Sequence, residues 1–245
     1  ALRVLCPGSP IVGTTRTGEA VAGFDRTVHL DLTHGDVGGA LAALKPSVVI
    51  HLAARSSVAQ SHGAGHLTFS DNMTAVLRLG EAMRAHAGGI PLIFASSGEV
   101  YGAAFRVGSA VTEAAVPEPQ NAYARSKLAG EFAFADILAP VAPVIALRLF
   151  NHFGPGQDAR FVIPAFAAQI RAISLGGEGV VETGNLEAVR DFLPLGDVLA
   201  AYGAAVRRVR SRTPGFEVFN IASGTGRSIR SILDEMIALS GRRVA

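Results

Sequence analysis

Three short apolar runs, separated by helical stretches, most constrain what this chain can fold into. The runs at 47–54, 92–95 and 144–150 are rich in apolar residues, many of them β-branched. Strands with this uninterrupted apolar pattern are buried on both faces, as in parallel sheets. Parallel strands also need a crossover, usually a helix, and the helical patterns at 71–87 and 123–137 provide two. The alternation predicts an α/β fold, a doubly wound parallel sheet.

The first thirty residues fit this pattern less well. Residues 3–6 and 11–16 each read as a strand, and residues 28–32 read as a third. Only five residues separate Leu5 from Ile11, whereas a parallel pair needs roughly a dozen connecting residues. We therefore expect a segment to be missing between Pro10 and Ile11. A continuous backbone through residues 8–13 would contradict this expectation.

Composition narrows the class of protein. The 245 residues are 49% hydrophobic and 17% charged, with a net charge of +2, as is typical of a globular chain. Cys6 is the single cysteine, so no disulfide and no cysteine-rich metal site is expected within the chain. Neither a membrane-spanning run nor a signal peptide is visible, and we expect a cytoplasmic protein. The arginines at 207–212 fit a helix end better than a nucleic-acid site.

Two stretches carry side chains suited to acid–base chemistry. Tyr123 and Lys127 are four residues apart in a helical stretch and share one face. We expect the ammonium to lower the pKa of Tyr123 from about 10, which would make it a usable acid or base. At the end of an earlier predicted strand, Ser97 can share a substrate oxygen with Tyr123 while Glu99 reaches the other side. A solvated helix face and a serine-rich turn are the plainer alternatives.

Taken together, these two stretches resemble the extended short-chain dehydrogenase/reductase family, which includes the nucleotide-sugar epimerases, dehydratases and reductases. The matching motifs are Leu-Ile-Phe-Ala-Ser-Ser-Gly-Glu-Val-Tyr-Gly at 92–102 and Tyr-x-x-x-Lys at 123–127. The resemblance implies a dinucleotide-binding Rossmann domain at 1–150. It implies a small, apparently truncated nucleotide-sugar-binding lobe at 151–245, with some strands returning to the main sheet. The catalytic residues that it implies are Ser97, Glu99, Tyr123 and Lys127.

The resemblance also implies a cofactor site along the first strands. Gly8 is what remains of a Gly-x-x-Gly-x-x-Gly turn that holds the pyrophosphate. A basic residue at the end of the second strand, here Arg16, accompanies NADP in the family, so NADP is expected and NAD stays open. A degenerate site that binds no dinucleotide is the alternative. The other implied cofactor-binding residues are Asp31, Leu32, Leu52, Ala53, Ala54, Tyr123 and Lys127.

Three later motifs are similar to one branch of the family, the GDP-mannose 4,6-dehydratases and GDP-4-keto-6-deoxymannose reductases. They are Asn-His-x-Gly-Pro-Gly-Gln from 151, Phe-Val-x-Pro-x-Phe-Ala-x-Gln-Ile from 161 and Gly-Asn-Leu-Glu-Ala-x-Arg-Asp-Phe from 184. A guanidinium such as that of Arg190 suits a diphosphate, although a structural role beside Asp191 is the alternative. The implied substrate-binding residues are Ser57, Ser97, Asn151, Val162, Asn185 and Arg190.

By this resemblance the expected reaction is NADPH-dependent reduction of the C4 ketone of a GDP-4-keto-6-deoxyhexose. Tyr123 protonates the developing alkoxide, Ser97 orients the oxygen, and Lys127 tunes the tyrosine and holds the nicotinamide ribose. GDP-mannose 4,6-dehydratase, with Glu99 removing a C5 proton, stays open, as do UDP-sugar 4-epimerase and a non-catalytic dinucleotide-sensing module. A homodimer formed through the helices at 71–87 and 123–137 is implied, and neither nucleic acid nor membrane is an expected partner.

Overall fold

A computed structural model of the chain describes residue 3 and residues 7–55, 58–107, 110–173 and 178–244. The residues form two compact units. The first comprises the chain up to Leu149 together with Leu199–Ile221. The second comprises Phe150–Val198 together with the residues from Ala222 onward.

The first unit is built on a four-stranded parallel sheet. The three apolar runs form adjacent strands, β3 (Val49–His51), β4 (Leu92–Ser97) and β5 (Pro143–Leu149), and β9 (Gly215–Ile221) pairs along β5. Every residue of β4 is buried, because both faces of the sheet are covered. The α/β fold with a parallel sheet of Rossmann type is therefore confirmed.

A separate two-stranded parallel ladder precedes this sheet. It pairs β1 (Val12–Thr15) with β2 (Arg26–His29). The backbone runs without a break from Pro7 to Thr15, so the expected missing segment between Pro10 and Ile11 is wrong. Turns, not a helix, connect the two strands, and the Asp25 carboxylate accepts from the N–H of Ile11 at 2.8 Å to close the connection. Most of the first predicted strand, residues 4–6, lies outside the described residues.

Three helices supply the core on one face of the sheet: α1 (Val37–Leu44), α2 (Val58–His86) and α3 (Ala122–Ile137). Helix α2 begins well before the predicted residue 71. Helix α3 begins one residue before Tyr123, where the Asn121 side chain caps it by accepting from the N–H of Ala124 at 2.8 Å. The buried core cluster comprises Val37, Leu41, Val76, Leu79, Met83, Leu92, Phe94, Phe134, Leu138, Val144 and Ala146.

Helix α5 (Leu195–Arg210) carries the predicted arginine cluster at its C-terminal end. Arg208 donates two hydrogen bonds to the Glu217 carboxylate, at 2.7 and 2.9 Å, and Arg212 pairs with the same carboxylate at 3.0 Å. Two arginines of the cluster thus neutralise an acid of β9, and three of its arginines lie in the last turn of the helix, as expected.

The second unit has its own small core. Strand β8 (Val189–Pro194) lies between β6 (Asn151–Phe153), which runs parallel to it, and β10 (Gly226–Ser228), which runs antiparallel. A two-residue ladder joins β7 (Glu178–Gly179) and β11 (Arg243–Val244). Residues of α4 (Val162–Ala172) and α6 (Ile229–Ser240) supply most of the apolar cluster, which comprises Phe166, Ile170, Ile173, Val181, Ile229 and Leu233.

Candidate active site

Ser97 ends β4 and begins a 3₁₀ turn, Gly98–Tyr101, that holds Glu99. The buried Ser97 hydroxyl oxygen accepts from the backbone N–H of Glu99 at 3.2 Å and so caps the turn. The strand carries the serine to the carboxyl edge of the parallel sheet, where sites of such folds form. The turn then sets the partly buried Glu99 beside it.

Lys127 is buried in α3 against the same strand. Its ammonium donates to the carbonyl of Ala95 at 2.7 Å, lies 4.9 Å from the Phe94 ring centroid and lies 5.8 Å from the Tyr123 ring centroid. Burial lowers the pKa of Lys127 to about 8. The ammonium is thus held next to the Tyr123 ring, and it loses its proton closer to neutral pH than an exposed lysine does.

The expected lowering of the Tyr123 pKa is wrong for this structure. Burial raises the pKa of Tyr123, a hydrogen bond with the Ser97 hydroxyl acts against that, and the Glu99 charge raises it further. Desolvation of the phenolate therefore outweighs the effect expected from the i, i+4 lysine. Tyr123 keeps its proton at neutral pH and is suited to proton donation.

Two aromatic residues outside the predicted site, His51 and Tyr202, lie close to this centre. His51 stacks on Phe94 at 5.7 Å, and burial together with the Lys127 charge lowers its pKa to about 3, so it is neutral. Tyr202 of α5 has a buried hydroxyl with no hydrogen-bond partner among the described residues. Burial raises its pKa, and the charge of an ionised Tyr123 raises it further. No motif marks Tyr202, because only the return of α5 to the sheet brings it close to Tyr123.

The cofactor-binding residues predicted near the start of the chain are exposed or partly buried. Gly8 has a positive φ of 77° and open space around it. Hydrogen bonds from Thr33 hold the pKa of Asp31 below its ordinary value, and the charges of His34 and Arg16 lower it further. Arg16 itself is exposed, directly after β1. The Asp31 carboxylate accepts from the N–H of Thr33 at 2.7 Å, and Leu32 follows it, partly buried.

The loop after β3 is open to solvent. Leu52 is 61% exposed, and Ala53 and Ala54 are exposed behind it. An exposed leucine flanked by small residues suits close approach of a flat ligand. Ser57, predicted to touch the substrate, lies outside the described residues.

The remaining predicted substrate residues belong to the second unit. Asn151 begins β6, Val162 begins α4, and both Asn185 and Arg190 are exposed. The Asn185 side chain accepts from the N–H of Glu187 at 2.9 Å, while Arg190 donates to the carbonyl of Val189 at 2.7 Å.

Asp191, the neighbour of Arg190, has a structural role within the second unit. Its carboxylate accepts from the backbone N–H groups of Ser223 at 2.8 Å and Gly224 at 2.7 Å. The structural alternative considered for the Arg190–Asp191 pair therefore applies to Asp191, whereas Arg190 remains exposed.

The described residues fit a dinucleotide at two points. Arg16 presents an exposed cation suited to a 2′-phosphate, and the exposed small-residue loop lies at the carboxyl end of β3, next to the strand that ends at Ser97. Of the glycine-rich turn expected to hold the pyrophosphate, the sequence keeps Gly8. Within the described ranges, no group of three or more His, Cys, Asp or Glu side chains is arranged to hold a metal ion, and no helix is long and apolar enough to cross a membrane.

Comparison with known proteins agrees with the family that the sequence motifs resemble. GDP-6-deoxy-D-mannose reductase of Pseudomonas aeruginosa is 34% identical over 206 residues, which are 83% of this chain and 66% of that protein. The chain thus spans just under two thirds of this relative's length. MoeE5 in complex with UDP-glucose and NAD superposes with a TM-score of 0.80 at 29% identity, covering 97% of this chain and 77% of that one.

The structure of RMD from Pseudomonas aeruginosa complexed with NADPH gives a TM-score of 0.78 at 28% identity, covering 96% of this chain and 86% of that one. The profile of the NAD dependent epimerase/dehydratase family matches residues 4–222. The motifs at 92–102 and 123–127, the parallel sheet that joins them and this match together place the chain in the NAD dependent epimerase/dehydratase family.

Proposed function

We propose that the protein catalyses NADPH-dependent reduction of the C4 ketone of a GDP-4-keto-6-deoxyhexose. The observation that carries the proposal is the buried Lys127 ammonium, 5.8 Å from the Tyr123 ring centroid and hydrogen-bonded to the strand that ends at Ser97. Reduction of a carbonyl needs a proton donor at the oxygen as the carbon is reduced. Similarity to a GDP-6-deoxy-D-mannose reductase supports the reductive direction and the GDP-sugar class.

In the proposed mechanism the protein positions the carbonyl oxygen and supplies its proton. Ser97 donates a hydrogen bond to the C4 oxygen, and Tyr123 transfers its phenolic proton to that oxygen as negative charge develops. The Lys127 cation stabilises the phenolate that remains. When bound, the dihydronicotinamide supplies the hydride that reduces C4. The residues proposed to hold the cofactor are Arg16, Asp31, Leu32, Leu52, Ala53 and Ala54.

The second unit is proposed to bind the GDP moiety through Asn151, Val162, Asn185 and Arg190. A guanidinium carries five N–H donors in a fork that matches phosphate oxygens. Arg190 is exposed and donates to its own neighbouring carbonyl, so further donors face solvent.

The first test uses the full-length protein, NADPH and enzymatically made GDP-4-keto-6-deoxymannose. We expect NADPH absorbance to fall only when the sugar nucleotide is present, and the C4 configuration of the product names the sugar. UDP-glucose and GDP-mannose are the matched substrates to run beside it. Unchanged NADPH absorbance with the keto sugar, under conditions where cofactor binds, would contradict the proposal.

A UDP-sugar 4-epimerase is the second candidate, and similarity to UDP-glucose 4-epimerase 4 of Oryza sativa subsp. japonica, 28% identical over 80% of this chain, favours it. An epimerase oxidises and then reduces the same carbon, so it consumes no nicotinamide overall. Conversion of UDP-glucose to its C4 epimer with NAD, and no reduction of the keto sugar, would select this candidate.

One observation favours the alternative hypothesis of a GDP-mannose 4,6-dehydratase. Glu99 is partly buried and close enough to Tyr123 for its charge to raise the pKa of the phenol. A carboxylate there suits removal of a C5 proton. Formation of the keto sugar from GDP-mannose, lost in Glu99→Gln, would select the dehydratase.

We also propose a homodimer formed through α2 and α3, which pack against each other in the first unit. Leu77 of α2 is 44% exposed and Phe132 of α3 is 62% exposed, more than a core position allows. Sedimentation of the full-length protein should give a dimer, and Phe132→Glu should shift it toward monomer. A monomeric wild type would contradict this.

A further inference from the structure

A buried salt bridge lies next to the segments that carry the proposed catalytic residues of the first unit. Arg148 of β5 donates to both oxygens of the Glu131 carboxylate of α3, at 3.0 and 2.7 Å. The two side chains are only 7% and 3% exposed. Removing two charges from water is costly, and such a pair is seldom a net source of stability. We therefore ask what else the pair does, and the segments that it joins indicate a positioning role.

The pair connects the two segments that carry the predicted catalytic residues. Ser96, next to Ser97 on β4, donates to the Glu131 carboxylate. Glu131 lies one helical turn after Lys127 on the same face of α3. The end of the strand and the catalytic helix are thus fixed to one carboxylate.

The same arginine also holds the turn that carries Glu99. Arg148 donates to the Tyr101 hydroxyl at 2.8 Å, and that hydroxyl donates to the side-chain oxygen of Asn220 at 2.7 Å. Tyr101 is fully buried at the end of the 3₁₀ turn. The Asn220 N–H in turn donates to Glu113, in the segment that leads to α3, at 2.7 Å.

We propose that Glu131, Arg148, Tyr101 and Asn220 are positioning residues that hold the segments of Ser97, Glu99 and Lys127 in one catalytic geometry. The proposal rests on the proposed function. None of the four touches the substrate in this account. They act by fixing strand, turn and helix to one another, because small displacements of reacting groups cost large factors in rate.

The deciding variant is Tyr101→Phe, which keeps the ring and removes the hydroxyl that links Arg148 to Asn220. We expect kcat to fall by roughly tenfold or more with KM within about twofold, since binding residues elsewhere are untouched. In a Tyr123→Phe background the same change should lower the residual rate by less than about twofold, because Ser97 and Lys127, which the network positions, act together with the proton donor that is gone.

A second variant, Glu131→Gln, removes the charge at the centre of the network. Its matched control is Glu217→Gln, which breaks the exposed bidentate pair with Arg208 in the same unit. We expect kcat to fall in Glu131→Gln and to stay within about twofold of wild type in Glu217→Gln. Should Glu131→Gln fail to fold, Tyr101→Phe decides.

One readout is independent of turnover and so separates this proposal from the proposed function. Lys45 and Lys127 are the two lysines of the sequence, so ¹³Cε-lysine labelling gives two signals, assigned with Lys127→Arg. Tyr101→Phe changes no charge. We expect it to raise the Lys127 titration midpoint by about half a pH unit as water reaches the loosened site, with the exposed Lys45 signal as reference.

The outcomes are decisive whether or not the protein reduces the keto sugar. An unchanged Lys127 midpoint in Tyr101→Phe overturns the proposal even if the protein shows no turnover. Where turnover exists, kcat within about twofold of wild type with a lowered Tm means that the network serves stability alone, and this also overturns the proposal. A shifted midpoint in a protein without turnover supports the positioning role and rejects only the proposed reaction.

Discussion

The predicted catalytic residues of the first unit and the predicted sugar-nucleotide residues of the second unit differ in burial and in partners. Ser97 and Lys127 are buried and bonded to atoms of the strand and turn around them. Asn185 and Arg190 are exposed and bonded to residues within two positions of themselves. The proposed catalytic groups are thus held in place by the fold before any ligand arrives, whereas the proposed binding groups are exposed to solvent. The four predictions below break or sharpen that contrast.

Tyr123→Phe should have the largest effect. Removing the proton donor should lower kcat by about 10²- to 10⁴-fold, while NADPH affinity stays within about threefold because the ring remains. Steady-state kinetics and a fluorescence titration with NADPH measure the two quantities. Unchanged turnover would show that the phenol is not the donor, and binding without any turnover even in wild type would favour a dinucleotide-sensing module.

The pH dependence of stability should report on the buried Lys127. Its pKa is about 8 when folded, against an ordinary 10.5, so the unfolded chain binds the extra proton between these values. Stability contributed by this group is therefore fully present above pH 10.5 and is lost as the pH falls through 8, by on the order of 3 kcal/mol. His51, its buried neighbour, is neutral over this range.

Urea unfolding at several pH values between 7.5 and 10.5 measures this dependence. In Lys127→Met the rise in the free energy of unfolding should disappear, and in the control Lys45→Met, at an exposed lysine, it should persist. An equal rise in Lys127→Met and wild type would show that another group is responsible.

Arg190→Lys should have a smaller effect, confined to binding. A lysine keeps the charge but loses the bidentate fork, so KM for the GDP-sugar should rise about tenfold with kcat within about twofold. Initial-rate kinetics over a range of sugar-nucleotide concentrations separates the two constants. A fall in kcat with KM unchanged would assign Arg190 to the chemical step and remove the contrast between the two units.

Tyr202→Phe should have the smallest effect and the opposite sign. Its buried hydroxyl has no partner among the described residues, so removing it should stabilise the ligand-free protein by about 1 kcal/mol. Urea unfolding of the variant and wild type at one pH measures the difference. Destabilisation would mean that the hydroxyl is satisfied, for instance by a bound water.

The local elements were largely predictable, but some bounds were not. The apolar runs at 47–54, 92–95 and 144–150 correspond to β3, β4 and β5, because burial on both faces leaves a strong compositional signal. Helix α2 begins at Val58, thirteen residues before the predicted residue 71. Gly63 and Gly65 lower the helix propensity of that first stretch, so packing rather than local preference extends the helix.

The candidate site was predictable as a set of residues but not in its electrostatics. Sequence spacing identified Tyr123 and Lys127 as neighbours, and they are. It also predicted a lowered Tyr123 pKa, because spacing shows the nearby charge but not the loss of solvent. In the folded protein burial is the largest influence on both groups and moves the two pKa values in opposite directions.

The sequence by itself determined the alternation of strands and helices, the motifs at 92–102 and 123–127 and thereby the family. These follow from hydrophobic periodicity and from residues close together in the chain. The resemblance implied that some strands return to the main sheet, but only the tertiary structure decided that Tyr202 and Asn220, which lie between the two segments of the second unit in sequence, belong to the first unit. It also decided that Glu131 and Arg148 form a buried ion pair close to the predicted catalytic residues. Such contacts depend on how distant segments pack, and no local pattern encodes them.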